Sequence, residues 1–335
     1  MNYPFSITAL AFAASLATHP AANAAGPIQS VAALWTFNHN LAPTIGRSAE
    51  IPVFDAGTNA LWIAGGNGVD VLNLAGTRIQ SFTTTDFGSI NSIAVSGNTL
   101  ALAFTNPNPA LPGSVQFFDT RTFLSQGATA ALLGGVQVGA VPDMLIWTGD
   151  GSRLLVANEG ERQSDANNPA GSVSLIDVNR SGGFTTSVAT AGFTAFNGQE
   201  AALRASGVRI QAGVAASVAF EPEYIAISTN GQFAQVTMQE NNAIAELNLR
   251  HAVITSVDRD DLPGFFRRAP LADMSFDALE VFNGDHYNHI ESVDEVIKDW
   301  FALLNAGLRF TATGNSDSHK LTFQEAGAPR NSAQR

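Results

Sequence analysis

Met144-Leu-Ile-Trp147, Ser152-Arg-Leu-Leu-Val-Ala157 and Ser172-Val-Ser-Leu-Ile-Asp177 are three short apolar runs set one after another. Thr148-Gly149-Asp150-Gly151 divides the first two, and a loop rich in Gly, Asn and Pro divides the second from the third. Runs of this length suit strands and are too short for helices. Gly and Asp between them supply the positive φ that a tight reversal needs. The passage therefore reads as a small antiparallel sheet.

Working outward, the same theme recurs from about residue 30 to residue 257. Ala60-Leu-Trp-Ile-Ala64 is followed by Gly68-Val-Asp-Val-Leu-Asn-Leu74, and Ser92-Ile-Ala-Val95 by Leu100-Ala-Leu-Ala-Phe104 and Ser114-Val-Gln-Phe-Phe-Asp119. Tyr224-Ile-Ala-Ile227 leads through Ser228-Thr229-Asn230-Gly231 to Gln232-Phe-Ala-Gln-Val-Thr237 and Ala243-Ile-Ala-Glu-Leu-Asn-Leu249. Sheets of one size repeated in series predict a mainly β chain and, within it, a partial β-propeller of about four blades. Trp35, Trp62, Trp147 and the many Phe are its expected core. An array left open would expose an apolar flank.

Between residues 251 and 270 the character changes. Asp258-Arg-Asp-Asp261 and Arg267-Arg268 bring charge, and Pro263-Gly264 breaks regular structure, so a boundary is placed between 25–257 and 258–335. Beyond it, Phe276 to Phe282 reads as a strand and Ser292-x-x-Glu295 as a capping box opening a helix. Val293, Val296, Ile297, Trp300, Phe301 and Leu304 recur at helical spacing, Gly307 stops the helix, and Arg309 to Thr313 reads as a second strand. Strand, helix and strand make a βαβ unit whose two strands run parallel.

The formal net charge is −12 and the chain has two lysines, Lys298 and Lys320. Binding to a phosphate backbone relies on clustered Lys and Arg, so nucleic acid is excluded as a partner. Cysteine is absent, which removes disulfides and thiolate metal sites. Apolar Ile7 to Ala17, then Ala22-Asn23-Ala24 before Ala25-Gly26-Pro27, has the form of a signal peptide cleaved after Ala24. Its apolar run is too short to span a bilayer, and no later stretch reaches membrane-helix length. The expectation is an exported protein of the periplasm, cell surface or medium, with no transmembrane segment in the mature chain.

Two sets of residues have the composition of a site. Asp317 and His319, in Asn315-Ser316-Asp317-Ser318-His319-Lys320, offer a carboxylate and an imidazole from one loop after a strand, a pairing suited to Zn, Mn or Fe. Glu280, Asn283, His286 and His289 stand at or just beyond the neighbouring strand's end. Separately, Glu159-Gly-Glu161, Glu221-Pro-Glu223 and Glu240-Asn-Asn242 recur near strand ends where blades converge. Carboxylate and amide oxygens gathered there would suit Ca²⁺, which takes six to eight oxygen ligands. Arg47, Arg204 and Arg209 are alternative partners for these acids. No Gly-x-Ser-x-Gly elbow, P-loop or dinucleotide fingerprint is present.

Phe276-Asp-Ala-Leu-Glu-Val-Phe-Asn-Gly284, Asp299-Trp-Phe-Ala-Leu-Leu-Asn-Ala-Gly307 and Thr311-Ala-Thr-Gly-Asn-Ser-Asp-Ser-His319 closely resemble the C-terminal part of PHP-type metallohydrolases of the CehA/McbA group, over about residues 262 to 331. The resemblance implies a fragment of a distorted α/β barrel, a multinuclear metal site acting on small-molecule phosphoesters or related esters, and Asp317 and His319 as metal ligands with Glu280 near them. The N-terminal His-x-His pair of that pattern has no counterpart here. Asn38-x-x-Leu-Ala-Pro-Thr-Ile-Gly-Arg-Ser-Ala-Glu50, Val156-Ala-Asn-Glu-Gly-Glu161, Leu203-Arg-Ala-Ser-Gly-Val-Arg-Ile210, Glu221-Pro-Glu-Tyr-Ile225 and Gln239-Glu-Asn-Asn-Ala243 resemble the choice-of-anchor I domain. That second resemblance implies a secreted or surface-attached propeller. The expectation for the whole chain is a binding or scaffold protein, with a surface ligand or cation held by the propeller, followed by an incomplete hydrolase-like tail; the alternative is a metal-dependent ester hydrolase using Asp317 and His319.

Overall fold

A computed structural model describes residues 34–39, 49, 51–84, 87–164 and 166–259, together with the backbone of two strands at 278–283 and 311–315. Blade 1 comprises β1 (Ile51–Asp55), β2 (Ala60–Gly65), β3 (Gly68–Asn73) and β4 (Arg78–Thr83). Blade 2 comprises β5 (Ser89–Ser96), β6 (Thr99–Thr105), β7 (Pro112–Asp119) and β8 (Leu132–Ala140). Blade 3 is β9 (Pro142–Trp147), β10 (Arg153–Asn158), β11 (Ser172–Asn179) and β12 (Thr185–Gly192). Blade 4 is β13 (Tyr224–Ile227), β14 (Phe233–Met238), β15 (Ala243–Asn248) and β16 (Val253–Arg259). In every blade the four strands pair antiparallel in chain order, as the repeat predicts. Strand β16 runs two residues past the boundary placed at residue 257.

The blades stack face to face in series. Among the described residues three buried apolar clusters are found, and each joins two consecutive blades. Trp62, Val71, Leu100, Leu102 and Phe118 lie between blades 1 and 2. Ala101, Phe117, Leu154, Val156 and Ile176 lie between blades 2 and 3, and Leu155, Leu175, Ile225, Val236 and Ala245 between blades 3 and 4. Alternation along one strand explains how a blade serves two neighbours: on β6, Leu100, Leu102 and Phe104 face blade 1 while Ala101 and Ala103 face blade 3. First strands contact one another, β1 with β5, β5 with β9 and β9 with β13, so they line the inner side of the array. This is a partial propeller of four blades.

Trp62 is fully buried and meets Phe123 edge to face at 5.1 Å. Trp147 is half-buried beneath the guanidinium of Arg180, which sits 5.0 Å from its ring centroid. Arg180 also donates to Thr99 Oγ1 of blade 2 at 2.9 Å and to the Gly151 carbonyl at 2.6 Å, pinning two blades together. Arg153 does the same between blades 3 and 4, donating to the Leu249 carbonyl at 2.6 Å and to Asp177 Oδ1 at 2.6 Å. Trp35 departs from its expected core role. It is half-buried and donates its indole N–H to the Leu74 carbonyl at 2.9 Å, on the outer side of blade 1.

The turns after β9 and β13 are near copies. Thr148 N–H donates to the Arg153 carbonyl and Ser228 N–H to the Phe233 carbonyl, each at 2.9 Å. The Ser152 and Gln232 amides donate to Asp150 Oδ1 and Asn230 Oδ1, each at 3.0 Å. Gly151 and Gly231 take φ of 67° and 66°, the left-handed conformation that only glycine adopts without strain.

In the C-terminal region β17 (Ala278–Asn283) and β18 (Thr311–Asn315) pair in parallel, with Glu280 opposite Thr313. Parallel pairing of these two strands is what the βαβ reading requires. The expected helix between them, and Asp317, His319, His286 and His289, lie outside the described residues. No described helix is long and apolar enough to cross a membrane.

Candidate functional site

Antiparallel order places like loops at like ends. The first strand of each blade starts at the end where the loop after the second strand also lies. Asp143 stands at the start of β9, and Glu159 and Glu161 follow β10. Glu221 and Glu223 lead into β13, and Glu240 lies in the 3-10 turn Gln239–Asn241 after β14. All five acids expected in the propeller, with Asp143, therefore share one end of blades 3 and 4.

Their fields overlap. Burial pushes the Glu159 carboxyl up to about 9, reinforced by the negative charges of Glu223, Asp143, Glu161 and Glu221. Burial likewise pushes Glu221 up to about 7, with Glu240 and Glu161 adding to it. Against that, the Arg162 amide donates to Glu221 Oε1 at 3.3 Å and favours the ionised form. Two neighbouring carboxyls thus hold protons well above the usual range. A cation placed among them would lower both.

Backbone contacts hold the acids in place. The Glu159 amide donates to the Val141 carbonyl at 2.8 Å and the Gly160 amide to the Ala140 carbonyl at 3.1 Å, tying the loop after β10 to the entry of β9. Val141 takes φ of 48°, a conformation a β-branched residue rarely adopts and one that costs about 1–3 kcal/mol. On the blade 4 side Asn241, almost fully buried, acts as a pin. Its Oδ1 accepts from the Glu221 amide at 3.0 Å, and its Nδ2 donates to the Arg209 and Ala219 carbonyls at 3.0 and 2.6 Å.

These bonds revise two expectations. The Asn241 amide oxygen is committed to the backbone and is not a free ligand. Arg209 donates to the Glu240 carbonyl at 3.0 Å, so its bond to Glu240 is to the main chain and not to the acid. Arg47 lies outside the described residues. Among the described residues no group of three or more His, Cys, Asp or Glu has the arrangement of a metal site. The acids are near enough to perturb one another without forming a closed ligand cage. Glu161 is exposed and accepts from Gln163 Nε2 at 2.9 Å.

Asp143 was missed in the sequence although a signal existed. Val141-Pro142-Asp143-Met144 and Glu221-Pro222-Glu223-Tyr224 occupy the same position at the start of a first strand. Overlaying the two blades would have paired Asp143 with Glu223. Glu200 was also missed. It accepts from the Ala216 and Gly198 amides at 3.0 Å each, which hold its carboxyl below the usual range and fasten the long excursion between blades 3 and 4. Its role is structural. Glu280 lies on β17, where only the backbone is described.

The family model described as "Choice-of-anchor I domain" matches residues 50–260. No curated protein matches the chain. Among solved structures, the periplasmic gluconolactonase of Pseudomonas aeruginosa is 14% identical, with 67% of this chain and 58% of that one covered and a TM-score of 0.42. The Kuenenia stuttgartiensis hydrazine synthase is 16% identical over 65% of this chain and 55% of that one, with a TM-score of 0.38. The β-propeller domain of Myceliophteria thermophila Cps50 (Swd1) is 9% identical over 61% and 58%, with a TM-score of 0.41. The chain spans less than two thirds of the length of each.

Proposed function

The chain belongs to the choice-of-anchor I family, and from that premise we propose that it is an exported, cell-surface propeller of binding type whose ligand end is the acid-rich end of blades 3 and 4. One observation carries the reading: burial, reinforced by the negative charges of acids on loops from both blades, raises Glu159 to about 9. A Ca²⁺ ion, alone or bridging to an oxygen-rich surface ligand, would offset that repulsion. Glu159, Glu221, Glu223 and Asp143 would supply oxygens, with Glu161 and Glu240 drawn inward and water completing the shell. Calorimetric titration with CaCl₂ near pH 8 tests it, in two buffers of different ionisation enthalpy. Binding is expected with release of protons, because Glu159 must ionise. Absence of heat and of any thermal stabilisation up to about 10 mM, above the range of weak extracellular calcium modules, would sink the reading.

A second reading is favoured by the parallel β17–β18 pair. On it, the C-terminal region holds Zn, Mn or Fe through Asp317 and His319 with help from Glu280, and hydrolyses a small-molecule ester by activating water. Metal analysis of protein purified without chelator, beside the Asp317→Ala/His319→Ala double variant, decides it. Stoichiometric metal and phosphoesterase turnover lost together in the variant would support the enzyme. Unchanged metal content and turnover would exclude it.

A further inference from the structure

Among the described residues no blade precedes blade 1, yet its outer face is built like an interior. Pairing register puts Leu61, Ile63, Asp70 and Leu72 on that face, and Ile63 is 4% exposed while Asp70 and Leu72 are fully buried. Residues 34–39 lie against it. The Trp35 indole N–H donates to the Leu74 carbonyl at 2.9 Å, and its ring packs so closely on the next turn that a Cβ on Gly76 would lie 2.5 Å away. His39 Nδ1 meets Asp70 Oδ2 at 2.7 Å, with His39 itself 5% exposed. Arg78 Nη1 stands 3.7 Å from Asp70 Oδ1, and its guanidinium sits 5.6 Å from the Phe37 ring centroid. Phe37 in turn meets the His39 ring edge to face at 4.8 Å.

We propose that residues 34–39 are a latch that closes the outer face of blade 1 where a neighbouring blade would otherwise pack, and that the His39–Asp70 contact is its catch. A buried carboxylate needs a partner within the protein, so the catch and the cover depend on each other. Residues 34–39 belong to no strand or helix, so the segment opens as a unit at a lower cost than unfolding the blade beneath it.

Hydrogen exchange resolved by peptide tests this on the intact chain and on His39→Ala, Asp70→Asn and the double variant. In the intact chain the amides of 34–39 should exchange at least about tenfold slower than an unstructured peptide, yet faster than those of β2 and β3. His39→Ala should remove that protection and speed exchange in β3 and β4 while leaving blade 3 unchanged. Asp70→Asn should do the same, and the double variant should add nothing further. Exchange of 34–39 at the free-peptide rate in the intact chain overturns the proposal without any variant. So does a His39→Ala chain that keeps the segment protected, or that loosens blades 1 and 3 alike.

Discussion

The first two strands of blades 3 and 4 are written on one template at an offset of 80 residues, so their differences can be read position by position. Leu155 corresponds to Gln235, Ala157 to Thr237 and Met144 to Tyr224. The blade 3 members are buried against blade 4. Their blade 4 counterparts look outward, where Tyr224 is 61% exposed. Register extends the contrast across the sheet: Leu155 pairs with Leu175 in blade 3, and Gln235 with Glu246 in blade 4. One backbone thus carries a core face in one copy and a solvated face in the other. Terminal repeats of stacked arrays need such a polar outer face. Among the described residues this face of blade 4 carries Gln235, Thr237, Glu246 and Ser256 where a core face would be apolar, with Tyr224, Phe233, Ile244 and Val253 as apolar exceptions. At the other end, blade 1 keeps an apolar outer face and covers it with chain.

The sharpest way to break this comparison is to exchange the two faces. Leu155→Gln should cost about 3–5 kcal/mol, by losing a buried side chain and burying an amide, whereas Gln235→Leu should stay within about 0.5 kcal/mol. Denaturant unfolding of both variants checks it, and equal losses would mean that blade 4's outer face is covered after all. Next in size is Asn241→Ala, which removes three hydrogen bonds from a buried pin and should cost about 2–3 kcal/mol. Asn242→Ala next to it, at a half-buried position of φ 50°, should cost about 1 kcal/mol.

pH dependence sharpens the comparison of the acids. A carboxyl raised to about 9 keeps its proton in the folded protein while the unfolded chain, near 4.5, has lost it. Stability contributed this way is present below about 4.5 and is lost as pH rises towards 9. Glu221 acts in the same direction up to about 7. Glu159→Gln should therefore flatten the decline of Tm between these limits, and Ca²⁺ should stabilise the parent chain most at the alkaline end. A decline that persists unchanged in Glu159→Gln would show that the carboxyl is not the group titrating. Gly231→Ala should cost only about 1 kcal/mol, since its turn is exposed and only its positive φ resists the change. Gly151→Ala should cost more, because its added Cβ would collide with Ser96 of blade 2 while Gly231 has open space around it.

Much of this was legible locally. Apolar runs of period two and turns such as Thr148-Gly-Asp-Gly151 specify strands and reversals within a dozen residues, and their recurrence specified four blades. The acids of blades 3 and 4 were legible as residue types. Their perturbation was not, because it arises from groups such as Asp143 and Glu223 that are 80 residues apart in the chain. Asn241 looked like a ligand because an amide's chemistry is the same whether it faces a cation or a backbone carbonyl. Only packing distinguishes the two.

By itself the amino-acid sequence determined the blade repeat, the glycine turns, the acidic balance and the family, because each depends on neighbours in the chain or on composition. Tertiary structure alone decided which face of each blade is covered, that Val141 and Asn241 hold the acids at one end, and that Trp35 and His39 lie across blade 1. Those outcomes depend on contacts spanning 18 to 39 residues of chain, whose direction no local pattern encodes.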